Sequence, residues 1–224
     1  MSSDSKLLSV QFGCGWGSPV PKDWLNFDAS PTLRFERLPV VGKLYTRNAQ
    51  RFPENILFGD IVKGLPIKNE TVARLFASHV LEHLSYEDAL KAIRNSFALL
   101  APGGVFRLIV PDLKGRAERY VAKAARGDSA AAAEFLDATM LGERIRPRGF
   151  TAVLQRAFGG GAHLWMWDEP AMSAALASVG FVEIRRCQFN DSSDPAFAQV
   201  EESGRFVDGG IVELALECRK PSGQ

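Results

Sequence analysis

His79, Glu82 and His83 fall within five residues of one another in SHVLEHL (78–84), which contains two of the chain's three histidines. H-x-x-E-H is a spacing that zinc hydrolases use, with both imidazoles projecting from one face of a long helix onto the metal. The flanks speak against that use. VARLFAS (72–78) is apolar and strand-like, and Ser85 is the next residue suited to cap a helix. The motif therefore sits at a strand end. From the residues alone, two roles stay open. The trio fixes a strand-to-helix turn, or one histidine, with a pKa near neutrality, takes a proton or positions an acceptor.

A second group follows the first apolar run. VQFGCGWGS places Gly13, Gly15 and Gly17 where a tight turn and a close backbone approach to a ligand need residues without Cβ. The spacing is G-x-G-x-G, because position 18 is serine, and no lysine follows as a phosphate-binding loop requires. Asp28 ends WLNFD and Asp60 ends ILFGD. An acid at the tip of a second strand can accept both ribose hydroxyls of a nucleoside, and Asp60 is placed to meet an adenine amine. Each acid alone reads equally well as a strand-end cap. Three such features at successive strand ends favour a nucleoside site.

The third histidine, His163, opens HLWMWD (163–168) after three glycines at 159–161. Either a glycine-hinged loop delivers His163, Trp165 and Trp167 to a site mouth, or the tryptophans are core, where they bury large area. Arg144, Arg146 and Arg148 form a basic cluster that suits an anionic acceptor group or a solvated helix end.

The elements that must position these residues follow from hydrophobic pattern. KLLSVQF (6–12), WLNFD (24–28), ILFGD (56–60), VARLFAS (72–78) and VFRLIVPD (105–112) read as five buried strands. Leu90, Ile93, Phe97 and Leu100 recur at helical spacing behind a Ser85/Asp88 capping-box variant. Lys114 to about Arg156 is helical in composition, including the alanine-rich DSAAAAEFL, and EPAMSAALASVG is a further helix with a glycine stop. FVEIRRCQF and GGIVELALECRK close the chain as two strands. The pattern predicts one α/β domain over 1–224. Its doubly wound, mostly parallel seven-stranded Rossmann-like sheet ends in an antiparallel C-terminal hairpin, and residues 114–168 form a helical insertion over the acceptor site.

With 224 residues, 46% of them hydrophobic, the chain can bury a sizeable core. Basic and acidic residues number 27 and 26, for a net charge of +1, so no footprint for nucleic acid or a membrane surface exists. Three irregularly spaced cysteines, a polar start and the lack of a long apolar run fit a cytoplasmic protein. Self-association as a homodimer stays open.

VQFGCG, WLNFDAS, ILFGDI and above all FASHVLEHLSYEDALKAIRNSFALLAPGGVFRLIVPDL, with HLWMWD later, resemble the class I S-adenosylmethionine-dependent methyltransferases over nearly the whole chain. The resemblance implies S-adenosyl-L-methionine as cofactor. It places Phe12, Gly13, Gly15, Asp28, Asp60, Ile61, Ser78 and His79 around it, and a small-molecule acceptor beside His163 and His83. Some relatives, the ubiquinone O-methyltransferases and small-RNA 2′-O-methyltransferases, carry E-x-x-E-H at this point and bind a divalent metal. Here His79 replaces the first glutamate, a neutral nitrogen for an anionic oxygen, which weakens the case for a hard ion such as magnesium; no metal is expected. One departure is plain. Only ten residues separate Gly17 from Asp28, and Pro19 and Pro21 break any helix there, so the methionine carboxylate loses a helix N-terminus as its partner. The expected activity is methylation of a small molecule on oxygen, with a sugar or glycoside as first acceptor class. A non-catalytic cofactor-binding scaffold is the rival. A nicotinamide oxidoreductase fits Asp28 but not the glycine spacing.

Overall fold

The computed structural model describes residues 7–39, 51–144 and 162–223. Among the described residues nine strands are present: β1 (Leu8–Phe12), β2 (Leu25–Asp28), β3 (Ile56–Phe58), β4 (Val72–Ser78), β5 (Leu100–Val110), β6 (Val182–Arg186), β7 (Val207–Asp208), β8 (Ile211–Val212) and β9 (Leu214–Arg219). All but the β7–β8 ribbon join one sheet in the order β3-β2-β1-β4-β5-β9-β6. Strands β1 to β5 pair in parallel, whereas β9 runs antiparallel to both β5 and β6, between which it is inserted. The seven-stranded, mostly parallel sheet with its antiparallel C-terminal pair is thus the expected one.

The α-helices of the described residues are α1 (Pro31–Glu36), α2 (Tyr86–Leu99), α3 (Leu113–Ala124), α4 (Ala131–Ala138) and α5 (Glu169–Val179). Ser85 Oγ accepts from the Asp88 N–H at 3.3 Å to start α2, Asp168 accepts from the Ala171 N–H at 2.9 Å to start α5, and Gly180 at φ 110° ends α5. Side-chain alternation splits the sheet into two faces. Leu75, Phe106, Leu108, Leu214 and Leu216 face Ala92, Ile93, Met172 and Leu176 of α2 and α5. The opposite face, with Phe76, Val105, Ile109 and Ala215, is covered among the described residues by Trp24, Phe197, Val200 and Phe206 from loops and 3-10 turns.

Covering a sheet with loop leaves main-chain groups to be satisfied. Two buried amides do this for the β1–β2 crossover. Gln11 Nε2 donates to the Pro19 carbonyl and to Asn26 Oδ1, both at 2.6 Å. Asn26 Nδ2 donates to the Pro21 and Trp24 carbonyls at 3.1 and 3.0 Å. On the same face Arg107, 1% exposed, pairs with Glu201 and Glu217 and so clamps the segment ahead of the last 3-10 turn onto β5 and β9. Arg116 of α3 forms a two-pronged pair with Glu213 at 2.7 and 2.8 Å and donates to the Ala138 carbonyl at 2.9 Å, tying α3, α4 and β9 together.

Three expectations need adjustment. The third strand ends at Phe58, so Asp60 lies in the following turn rather than at the strand tip. The fifth strand begins earlier, at Leu100, with a register shift before Val105. Helix in the insertion ends at Ala138 within the described residues; 139–144 are not helical, and 145–161 lie outside the described residues. The three cysteines are unpaired and buried, and burial pushes the Cys14 and Cys187 thiols up to about 12, which leaves them inert. No helix of the described residues is long and apolar enough to cross a membrane.

Asn26→Leu keeps the side-chain shape but removes one of the two partners of Gln11 Nε2, one donor to the Pro21 carbonyl and the donor to the buried Trp24 carbonyl, and a buried polar group left without a partner costs about 1–3 kcal/mol. Urea unfolding should show a loss of more than about 2 kcal/mol; an unchanged midpoint would mean that the loop holds itself.

Candidate functional site

Sheet register brings the expected residues side by side. Phe12 stands opposite Phe27 on one side and Ala77 on the other, so Gly13, Asp28 and Ser78 emerge together at the ends of β1, β2 and β4 respectively. Between β1 and β4 the strand order reverses, the place where open α/β sheets form a ligand crevice.

Gly13 and Gly15 both adopt positive φ, 72° and 56°, but for different neighbours. A Cβ on Gly13 would fall 2.2 Å from Val80 Cγ2, so this glycine lets the β4 turn close over β1. A Cβ on Gly15 would meet nothing within 4 Å. Its side faces open space, and its N–H donates to Asp28 Oδ2 at 2.9 Å. The Ser30 N–H donates to Asp28 Oδ1 at 2.7 Å. Each carboxylate oxygen is thereby aimed by one backbone donor and keeps acceptor capacity for a second.

The remaining cofactor candidates divide. Ser78 Oγ is buried with no partner among the described residues, a polar group open to a ligand. Phe12 and Ile61 are core side chains, 3% and 5% exposed, so only their backbones can reach a ligand, and the Ile61 carbonyl already accepts from Asn95. Asp60 is partly engaged in its own turn, accepting from the Val62 N–H at 3.0 Å and pairing with Lys63 at 3.1 Å.

His79 occupies the left-handed region at φ 56°, a strained place for a non-glycine residue. Its N–H donates to the Ile109 carbonyl at 2.8 Å, and both ring nitrogens face acceptors: Nε2 the Arg205 carbonyl at 3.0 Å, Nδ1 the Glu82 carboxylate at 3.4 Å. Burial disfavours the charged ring, but Glu82 and the Arg205 carbonyl outweigh it and hold the pKa above the ordinary histidine value.

Glu82, which the sequence offers only as one member of the SHVLEHL trio, lies between His79 and the other two histidines. It is 0% exposed, and beyond the long His79 contact neither oxygen has a hydrogen bond among the described residues. Glu82, His83 and His163 each bring one potential ligand atom within 4.8 Å of the others. The His83 and His163 rings meet edge to face at 5.0 Å. His83 Nδ1 contacts the Ala162 carbonyl at 3.2 Å, which leaves its other nitrogen available. His163 is 8% exposed with Nδ1 unpartnered, and burial holds its pKa below the ordinary value despite Glu82. It is therefore a neutral base at neutral pH. The HLWMWD segment docks here because the Leu164 and Trp165 N–H groups donate to the Glu82 carbonyl at 2.7 and 3.2 Å.

The two readings of the tryptophans separate. Trp167 is core, 1% exposed, whereas Trp165 is 43% exposed and lies 4.9 Å from the exposed Tyr86 ring. Of the basic cluster, Arg144 is paired with Asp137; Arg146, Arg148 and the glycines at 159–161 lie outside the described residues.

No protein-family model matches the chain, and no curated protein matches it. Solved structures do. A complex of a methyltransferase activator and a methyltransferase from Haloferax volcanii matches at 14% identity over 100% of this chain and 86% of that one, TM-score 0.49. An S-adenosylmethionine-dependent methyltransferase from Mesorhizobium loti matches at 15% identity over 96% and 92%, TM-score 0.47. A SAM-dependent methyltransferase from Archaeoglobus fulgidus matches at 10% identity over 96% and 86%, TM-score 0.47. Likeness this remote transfers no activity, and the functional reading rests on the site.

Two imidazoles and a carboxylate are a ligand set that suits zinc or iron. The His79 ring, whose pKa Glu82 raises, however gives that carboxylate a partner without a cation. Full retention of cofactor binding and turnover in chelator is expected. Stoichiometric bound metal, with activity lost on chelation and restored by the ion, would reassign the trio as ligands.

Proposed function

We propose that this chain is an S-adenosylmethionine-dependent methyltransferase that methylates a hydroxyl oxygen of a small molecule, with a sugar or glycoside as the first acceptor class to test. The observation that carries the reading is Asp28. Its carboxylate is aimed by the Gly15 and Ser30 N–H groups at the strand-order reversal, with Gly15 facing open space, an arrangement suited to a ribose diol.

When bound, the cofactor supplies a methyl group on a positively charged sulfur. The chain then has to align an acceptor oxygen with that carbon, exclude water and remove one proton. In this reading Asp28 and the unpartnered Ser78 hydroxyl hold the cofactor. His163, neutral and with a free Nδ1, takes the hydroxyl proton, and Glu82 stabilises the imidazolium that forms. His83 gives that proton a path outward. Trp165 and Tyr86 offer exposed aromatic faces on which a sugar ring can stack. The rival, a scaffold that binds cofactor without turning it over, is separated by S-adenosylhomocysteine release across sugar, nucleotide-sugar and phenolic acceptors.

Asp28→Ala should weaken S-adenosylhomocysteine binding by at least about tenfold, since charge-assisted hydrogen bonds contribute about 1.5–3 kcal/mol and 1.4 kcal/mol is a decade. Calorimetry showing equal affinity would remove Asp28 from the site.

His163→Ala should keep cofactor affinity within about threefold while turnover falls by roughly 10²–10⁴, the range for losing a general base. The pH profile carries the same sign. A base with a lowered pKa is unprotonated at neutrality, so the rate should be level near pH 7 and fall as pH drops through a value below about 6.5. A profile still rising above pH 7, or normal turnover in the variant, would move the base elsewhere.

A further inference from the structure

The β1–β2 crossover lacks the helix whose N-terminal N–H groups would face an anionic group at the glycine loop. A side chain from far along the chain stands in that place. Arg205 ends the 3-10 turn Ser203–Arg205, and its Nη2 lies 3.5 Å from Ser18 Oγ and 3.7 Å from the position a Cβ on Gly17 would occupy. Its backbone carbonyl meets His79 Nε2 at 3.0 Å, so the same residue touches both rims of the crevice, the glycine loop and the β4 turn. The guanidinium is poorly satisfied for a group with five donors. Its one acidic neighbour, Glu202, stands 3.7 Å from Nε, the Ser18 contact is long, and the side chain remains 36% exposed. The absence of a side chain on Gly17 keeps the approach to Nη2 clear.

We infer that Arg205 replaces the missing helix N-terminus and binds the carboxylate of the cofactor's amino-acid portion. A planar fork of N–H donors matches a carboxylate in two-pronged fashion, and it carries a full charge where a helix end carries about half of one. Gly17, within the turn at 15–17, then brings the glycine loop beside that guanidinium. The inference rests on the methyltransferase reading, and the ligands chosen for its test keep the two apart.

The test is calorimetry of the full chain with S-adenosylhomocysteine and with 5′-methylthioadenosine, which shares the adenosine and thioether but has no amino-acid portion. Arg205→Gln should weaken S-adenosylhomocysteine by roughly 10–100-fold and leave 5′-methylthioadenosine within about twofold, with Arg205→Lys in between because it keeps the charge but not the fork. Melting temperatures of both variants should match that of the parent, since the backbone contact with His79 is retained. An equal loss for both ligands, or no loss for S-adenosylhomocysteine, overturns the assignment. A parent chain that binds neither ligand overturns the methyltransferase reading and this inference with it.

Discussion

A loop laid on a sheet has main-chain carbonyls that water no longer reaches, and the Gln11–Asn26 amide pair is what makes such a loop possible here. Neither residue is apolar, yet both are at most 2% exposed and lie on strands, because their side chains do for residues 19–24 what internal hydrogen bonds do for a helix. The consequences run outward. With the crossover shortened, Trp24 drops into the second-face core beside Phe197, and the glycine loop is short enough for the Gly15 N–H to reach back to Asp28. The same shortening removes the helix end that an anion would have met.

The long-range ion pairs act as placement devices. Arg107 fixes Glu201 and the Gln188 carbonyl, which sets the path of the chain into the turn that ends at Arg205. Arg116 fixes Glu213 and the Ala138 carbonyl, next to Thr139, whose backbone meets the His163 ring. Buried pairs of this kind add little net stability, because desolvation offsets most of the attraction, but breaking one leaves a charge stranded at a cost of about 3–5 kcal/mol. Their worth lies in excluding other arrangements of two irregular segments. Each segment delivers one side chain to the crevice.

What was legible in the sequence follows from this division. Strands β1 and β2 announce themselves as apolar runs that stop at glycine and acid, and β4 as an apolar run that stops at Ser78, so the neighbouring ends of these three strands could be laid out without coordinates. SHVLEHL was read at a strand end because VARLFAS has strand character, and it lies there, leading into the 3-10 turn Leu81–His83. Asp60 was read as a strand tip, but β3 is only three residues long and the chain has turned before reaching it. Arg205 left no trace: its contact with Ser18 spans 187 positions, and no periodicity encodes a pair at that separation. Glu82 was visible only as part of a motif. Its burial depends on HLWMWD docking through backbone donors, and backbone donors have no sequence signature.

The His79–Glu82 contact joins the two halves of the crevice. His79 sits at positive φ because the chain must turn sharply off β4 to bring Val80 over Gly13, and that strain persists only where surrounding bonds hold it. One ring nitrogen meets the Arg205 carbonyl on the side of the glycine loop, the other faces Glu82 on the side of His163. Both contacts favour the protonated ring and raise its pKa against the burial that opposes it. The fully buried Glu82 thus has His79 on one side and His163 on the other. The strained turn and the buried acid are therefore parts of one arrangement, and a residue without ring nitrogens at position 79 would loosen both.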